Sequence, residues 1–466
     1  MHQCCIGAEC APGDGPLDDS PTRVDGALGM HLPEELENYR RPLPAARHDI
    51  AMAKAAGVNT FACLLGDHHL PKSAYASMIH AMFDAAQEDG SFKVSVDIWS
   101  DFAKADAVER LANTLAILKE RHDSAWRRYK GKRLLTLWTN YGDLKDPQGK
   151  PLPFKETIDA LLARIGRRES VFLVLYCPDK LKLNNPDWFA GADAFTDWLN
   201  IDYGWASQRR VDDEALVKAS GKEFWYPVMP SFTQARPGLK PNVREKLGMA
   251  NFSEDWLAAI KADAPTVCIP TWNDLTEDSA LMPESNHAAA YSELNRYYAR
   301  WFETGQPPAV EREEVLLFHH PQVVEGLQLP AGREPMGSFP WARTTPPTDY
   351  IGVVGLFKQP ARVIVKLGRK TLGEKELPAG MNQWLLYHPQ DKQGGRHPDA
   401  PPVYPAERPG LFITKLSNPF TDADVYILVY RGEQRIGLFR SHRPIAGAAG
   451  RGEMQTIGDV FVTGEK

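Results

Sequence analysis

Nowhere in these 466 residues does an apolar run approach the ~18–20 residues needed to cross a bilayer, so no membrane span is expected. Basic charge is not in excess. Lys and Arg number 54 against 60 Asp and Glu, the formal net charge is −6, and no long basic run breaks the balance. That argues against a nucleic-acid surface. The start, "MHQCCIGAECAPGDGP", lacks a basic segment followed by a long apolar one, so no secretory signal is legible there. Cysteine is scarce. Cys63, Cys177 and Cys268 each sit inside an apolar, strand-like run and read as inert core thiols. Cys4, Cys5 and Cys10 cluster near the start, where a disulfide or an anchored terminus is open to them. No second cysteine or histidine cluster follows at a metal-binding spacing.

Aromatic surface, by contrast, is plentiful, with 12 Trp and 15 Tyr. Such amphipathic rings suit sugar faces, and they also fill cores. Short apolar runs alternate with helical patterns. The candidate strands are Gly26–Leu32, Val58–Gly66, Phe92–Trp99, Arg133–Asn140, Val171–Cys177, Ala192–Trp198, Phe224–Pro230 and Thr266–Asp274. Most are continuously apolar, as strands covered on both faces are. Between them lie "LPAARHDIAMAKAAG", "KSAYASMIHAMFDAAQEDG", "DAVERLANTLAILKERHDSAWRRYKGK", "FKETIDALLARIGRR", "VDDEALVKASGK" and "FSEDWLAAIKADA", all helical in spacing. "HAAAYSELNRYYARWFETG" follows the eighth strand. The pattern predicts an α/β fold, a (β/α)8 TIM barrel over residues 23–308 after an N-terminal extension, 1–22. A doubly wound sheet would favour a Gly-rich phosphate turn after the first strand, and "HLPEELENYRRP" offers none. After "TGQPPAVERE" the composition shifts to short strands and Gly-rich turns. Residues 309–466 are therefore predicted to form a C-terminal antiparallel β-sandwich.

A barrel of this kind carries its site at the C-terminal ends of its strands. Reading only those ends gives His31, Asp67, Asp97, Trp99, Asp101, Trp138, Asn140, Asp197, Asp202, Tyr203, Trp205, Trp272, Asn273, Asp274 and Glu277. A polar, acidic and aromatic rim is what a glycan pocket needs: carboxylates for proton transfer, rings for the apolar sugar face. Glycosidic cleavage takes one protonated carboxyl for the leaving oxygen and one ionised carboxylate to activate water or attack carbon. Asp274 and Glu277, three residues apart just after a strand, are candidates. Each also has a local reading. Asp274 could cap the following turn, and Glu277 could be a solvated loop side chain. Asp278 is assigned to solvent.

"TWNDLTEDSALMPE", Thr271 to Glu284, resembles the T/S-W-N-D-Y-x-E-S/G motif of glycoside hydrolase family 71, the α-1,3-glucanases or mutanases. More distantly it resembles the W-N-E-W-x-E motif of family 99, the endo-α-mannosidases and mannanases. "RHDIAMAKAAGVNTFACLLG", "FKVSVDIW", "GKEFWYPVMPSF" and "VLLFHHPQ" resemble further family 71 segments in the same order. The resemblance implies an inverting endo-hydrolase on a (β/α)8 barrel, with Glu277 as general acid and Asp274 as the carboxylate that handles water. It implies that Asp97 holds substrate hydroxyls. His31 ends the first strand where the family has a histidine, and either bonds a sugar hydroxyl or sits satisfied in the core. Trp272 and Asn273 belong to the motif, and Trp272 either stacks on a sugar or walls the barrel. Trp99, Trp138, Asp202 and Tyr203 join the substrate-binding set by position. Leu275 stands where the family often has Tyr, and Ser279-Ala280 follow Asp278 where it often has His-Tyr. These departures bear on the α-1,3-glucan specificity rather than on the reaction class.

The leading reading is thus a glycoside hydrolase acting on an α-linked polysaccharide, α-1,3-glucan first. An α-mannan-type hydrolase and a non-catalytic carbohydrate-binding protein are the alternatives, and the presence of both Asp274 and Glu277 argues against the last. The expected partner is a polysaccharide or oligosaccharide, with no nucleic acid and no membrane span. The chemistry needs no metal or organic cofactor. A monomer, secreted or periplasmic, is expected from the bulk of the substrate.

Overall fold

The computed structural model describes residues 4–5, 7–8, 42–66, 73–100, 106–138, 148, 150, 152–163, 165–166, 168–176, 190–196, 213–234, 242–244, 247–274, 278–283, 287–321, 323, 348–388, 409–418, 420–446 and 456–463. The chain forms two compact units. The first comprises Met1–Asn200, Gln208–Val228 and Ala258–Asp274. The second comprises Ile201–Ser207, Met229–Leu257 and Leu275–Lys466.

The first unit is built on parallel strands. In chain order these are β1 (Cys4–Cys5), β2 (Gly7–Ala8), β3 (Thr60–Gly66) and β4 (Lys93–Trp99). After the short β5 (Arg128–Tyr129) come β6 (Lys132–Trp138), β7 (Val171–Tyr176), β8 (Ala194–Thr196), β9 (Glu223–Phe224) and β10 (Tyr226–Pro227). β11 (Phe232–Gln234) and β12 (Asn242–Arg244) pair antiparallel in the second unit, and β13 (Val267–Cys268) returns to the first. One sheet runs β2-β3-β4-β6-β7-β8-β9, and a second runs β1-β13-β10; every pairing in both is parallel. β3 and β7 are buried along their whole length, and β4 and β6 at all but their end residues. That is why these segments are unbroken apolar runs: a strand covered on both faces gains ~1.5–3 kcal/mol per buried Leu, Ile or Val on either side.

The helices are α1 (Pro42–Ala55), α2 (Ser73–Asp89), α3 (Ala107–His122), α4 (Phe154–Leu162), a turn of helix at residues 213–219, α5 (Met249–Lys261) and α6 (Ala290–Thr304). α2, α3 and α4 lie between successive parallel strands, as crossovers must. α1 buries Ala45, Ala46, Asp49, Ile50 and Ala53, one stripe at helical spacing. α3 ends earlier than its sequence pattern predicts. After His122 the chain forms a hairpin in which β5 pairs antiparallel with β6 across Lys130-Gly131. Both turn residues have positive φ, 49° and 79°, the combination a two-residue hairpin requires and glycine supplies without strain. Asp123 receives Arg128 and Arg133 and fixes the base of that hairpin.

The second unit holds two facing sheets. One orders β19 (Leu411–Lys415), β18 (Gly380–His388), β15 (Asp349–Phe357), β14 (Glu314–His319) and β22 (Ile457–Val462). The other orders β17 (Lys370–Leu377), β16 (Ala361–Leu367), β20 (Val425–Arg431) and β21 (Gln434–Arg440). Residues from both sheets, among them Leu317, Val353 and Trp384 from one and Val365 and Ile427 from the other, form one buried cluster. β16 alternates buried and half-buried residues along its length, the mark of a sheet with one dry face. Gly373 on β17 lets the Trp384 ring lie against the backbone, where a Cβ would meet it at 2.7 Å. Pairing is antiparallel except between β18 and β19, which run parallel. These two strands are joined by a long connection rather than a tight turn, so nothing forces reversal.

The strand expected at Gly26–Leu32 lies outside the described residues. Pairing beside β3 and β13 is made by β2 and β1, within the segment read from sequence as an extension. Cys63 and Cys268 are buried, as core residues of these runs should be, and Cys177 lies outside the described residues.

Candidate active site

The parallel ladder fixes which side chains share a level. Gly66 pairs with Trp99, Trp99 with Trp138, and Tyr176 with Thr196. The Leu137–Leu175 pair brings Tyr176 level with Trp138. Residues level across parallel strands point to the same face. Trp99, Trp138, Tyr176 and Thr196 therefore form one row at the carboxyl ends of β4, β6, β7 and β8. The two indoles are stacked, with centroids 5.4 Å apart and planes 14° from parallel, and both are half-buried. Tyr176 and Thr196 are buried, and the Thr196 hydroxyl has no hydrogen-bond partner among the described residues. Thr136 and Tyr176 in this region escaped the sequence reading. For Thr136 the signal was strand parity, two residues before Trp138 on β6, whereas the level of Tyr176 follows only from the register of β7.

Two residues back along β4, Asp97 is fully buried. The Thr136 hydroxyl, level with it on β6, donates to Oδ1 at 2.6 Å. Oδ2 has no partner among the described residues. Burial pushes the Asp97 carboxyl up to about 7, against the smaller opposing effect of the Thr136 hydrogen bond. Asp97 thus lies beneath the indole pair with a single hydrogen bond, in surroundings that favour its neutral form.

Beyond β13 the chain turns through Thr271–Asp274. Thr271 is buried, and its Oγ1 accepts the Asp274 backbone N–H at 2.9 Å. The bond that closes this turn is therefore made by the Thr271 hydroxyl, and residues 275–277, which follow Asp274, lie outside the described residues. Trp272 is fully buried against Phe61, centroids 5.3 Å apart, and its indole N–H has no acceptor among the described residues. Asn273 is half-buried, and Asp274 is 3% exposed. Because every pairing along the two sheet paths is parallel and β10 follows β9 across one residue, Asp274 leaves β13 at the same end at which Trp99 and Trp138 leave β4 and β6. His31, Asp202, Tyr203 and Glu277 lie outside the described residues, as do Asp67, Asp101, Asn140, Asp197 and Trp205.

The assignment of Asp278 to solvent is corrected. Asp278 is 4% exposed and has φ 54°. Its Oδ2 accepts from the Ser231 hydroxyl at 2.6 Å and from the Thr456 N–H at 3.1 Å, and Ser231 also bonds its carbonyl. This carboxylate ties three distant segments of the second unit, a role that adjacent sequence cannot reveal. In the same unit His319 is buried, with Nδ1 bonded to the His320 carbonyl and Nε2 to Ser441, which in turn donates to Asp459. Burial holds His319 down at about 4. Among the described residues no group of three or more His, Cys, Asp or Glu is placed to hold a metal ion, and no helix is long and apolar enough to cross a membrane.

The profile of glycosyl hydrolase family 71 matches residues 34–393. No curated protein matches the chain. Among solved structures, a GH99 endo-α-mannosidase from Bacteroides thetaiotaomicron is similar at 18% identity and TM-score 0.45, covering 56% of this chain and 84% of its own. A β-glucuronidase 2 calcium-binding mutant from Bacteroides uniformis is similar at 9% identity and TM-score 0.45, covering 96% of this chain and 45% of its own. An endo-β-1,4-mannanase double mutant from Cellulomonas fimi shows 10% identity and TM-score 0.33, covering 84% and 86%.

Proposed function

The chain belongs to glycosyl hydrolase family 71 and is a glycoside hydrolase; on that premise we propose that it cleaves an α-linked polysaccharide internally, α-1,3-glucan first, with inversion at the anomeric carbon. The observation that carries this reading is the placement of Asp274. It is buried, it follows β13 at that strand's carboxyl end, and the turn that presents it is closed by a hydrogen bond from its own backbone N–H to Thr271 Oγ1. In the proposed mechanism Glu277 gives its proton to the glycosidic oxygen as that C–O bond breaks. Asp274 takes a proton from the water that attacks the anomeric carbon from the opposite face. Trp99 and Trp138 offer the apolar wall for a pyranose, with His31, Asp202, Tyr203 and Asn273 as hydroxyl partners. Asp97 acts from beneath that wall.

The parallel strands are proposed to close into a (β/α)8 barrel. The support is that β13 pairs with β1 on one side and β10 on the other, while β10 follows β9 and β2 follows β1 across single residues. Residues 23–308 would then be the catalytic domain and 309–466 an accessory sandwich, in a secreted or periplasmic monomer. The test is reducing-sugar release from α-1,3-glucan, α-1,6-mannan and starch, with the product anomer followed by NMR. Release from mannan alone would shift the assignment to the mannanase reading, and binding without release from any of them would refute turnover.

A further inference from the structure

The second unit contains a groove of about 330 Å3 that shares no residue with the proposed catalytic set. One wall is a face of α6. Trp256, Tyr298 and Trp301 are piled nearly parallel, with 6.3 Å and 9° between the first two and 6.1 Å and 12° between the last two. Trp256 and Tyr298 are buried, whereas Trp301 is half-buried and lines the groove. The indole is thus backed by two further rings and held at a fixed angle. Tyr297 stands perpendicular to it, at 89°, and makes a second wall.

The floor comes from the start of β18. Asn382 is 3% exposed, and its amide nitrogen is committed to the Pro378 and Gly380 carbonyls. Gln383 is 2% exposed; its amide nitrogen faces the Ser253 and Tyr298 hydroxyls, and its Oε1 has no partner among the described residues. No charged side chain lines the groove.

We propose that this groove is a second glycan-binding site, which holds a neutral polysaccharide strand by stacking on Trp301. The proposal rests on the reading that the enzyme acts on a neutral polysaccharide. A pyranose has an apolar C–H face for the ring and carries no charge. A charged ligand would meet no counter-charge. A proline-rich peptide also suits a Tyr/Trp groove; the glycan is favoured because the chain belongs to a glycoside hydrolase family, and the peptide is scored in the test. The volume lies at the low end of the ~300–1,000 Å3 typical of small-molecule sites, so one or two sugar units fit. A second point of attachment raises the local concentration of substrate without any new contact at the catalytic residues.

The test uses the full chain carrying Asp274→Asn, so that substrate is held and not consumed. Adsorption to insoluble α-1,3-glucan, α-1,6-mannan and starch granules is compared for this parent and for added Trp301→Ala, Trp301→Phe and Leu257→Arg. The last lines the groove from α5, suits a helix, and fills the space without removing the ring stack, so it reads the site if Trp301→Ala fails to fold. Retention on at least one polysaccharide should fall roughly tenfold with Trp301→Ala and Leu257→Arg, and less with Trp301→Phe. Equal retention by Leu257→Arg and the parent on all three would overturn the groove, as would binding of a proline-rich peptide that these variants abolish while glycan retention stays intact. Wild-type hydrolysis is scored separately. Hydrolysis with unaltered retention removes the groove and leaves the catalytic reading. Variant-sensitive retention without hydrolysis removes the catalytic reading and leaves the groove.

Discussion

Replacing Asp97 by asparagine isolates the one carboxyl whose environment most strongly favours the neutral form. Asp97 is fully buried and has one hydrogen bond, from Thr136. Its carboxyl is pushed from 3.8 to about 7 by burial. That displacement is worth about 4 kcal/mol between neutral and ionised forms, taking ~1.4 kcal/mol per pH unit. The sign follows from proton counting. Below pH 4 both folded and unfolded chains carry the proton. Between pH 4 and pH 7 the unfolded chain releases it while the folded chain keeps it, so stability falls by up to ~1.4 kcal/mol per pH unit. Above pH 7 both are ionised and the loss levels off near ~4 kcal/mol. Asparagine keeps the acceptor for Thr136 and never ionises, so Asp97→Asn lacks this slope. Any constant cost of its amide donors is the same at every pH. The assay is urea unfolding of wild type and variant from pH 4.5 to 8. The variant's stability relative to wild type should rise with pH by a few kcal/mol and then flatten above pH 7. A difference that does not change with pH would show that Asp97 is ionised in the folded protein throughout, and would refute the account of the layer beneath the indoles.

Asp274→Asn and Glu277→Gln should each lower kcat on the best polysaccharide by ~10²–10⁴ with melting temperatures close to wild type; activity near wild type in either would remove that residue from the mechanism. Trp138→Leu unpairs the stacked indoles and should raise KM for oligosaccharides about tenfold, equivalent to ~1.4 kcal/mol, with a smaller change in kcat by steady-state kinetics. Asp278→Ala leaves the Thr456 N–H buried without its acceptor and the Ser231 hydroxyl with only the backbone carbonyl of residue 278, and should cost ~1–3 kcal/mol in urea unfolding at a site that solvent exposure would have made silent. His319 is held neutral, down at about 4, so stability should drop as pH falls from 6.5 toward 4, because the unfolded chain gains a proton first; His319→Gln should flatten that acid limb in the same titration.

Much of the fold could be read from local pattern because burial is local in these elements. The runs that became β3, β4, β6 and β7 are apolar since both faces of each strand are covered, and α6 stops at Gly305, whose N–H caps Trp301 with φ 74°. The failures share a different cause. The helical pattern of α3 runs on into "HDSAWRRYKGK", and only the Lys130-Gly131 pair betrays the hairpin that replaces it. β17, "KTLGEKEL", was not foreseen because it is an edge strand whose outer face carries charge, which removes the apolar alternation that marks a strand. The parallel pairing of β18 with β19 and the burial of Asp278 depend on partners far along the chain, 47 and 178 residues away in the case of Asp278. No window of neighbouring residues contains that information.

The same distinction separates the motif turn, whose four residues are contiguous, from its supports. The four residues Thr271-Trp272-Asn273-Asp274 divide the work of one turn. Thr271 supplies the bond that closes it, Trp272 anchors it against Phe61, and Asn273 stays half-buried. A turn closed by its own aspartate would orient that carboxylate toward the backbone and hold it there. Threonine takes the backbone N–H instead, so the bond that closes Thr271–Asp274 uses the Thr271 hydroxyl, and Asp274 is the acid of this turn that the proposed reaction draws on. Asp97 shows the converse. Its partner Thr136 lies 39 residues away on the next strand, so only the register between β4 and β6 could show that this aspartate sits beneath the aromatic row instead of within it.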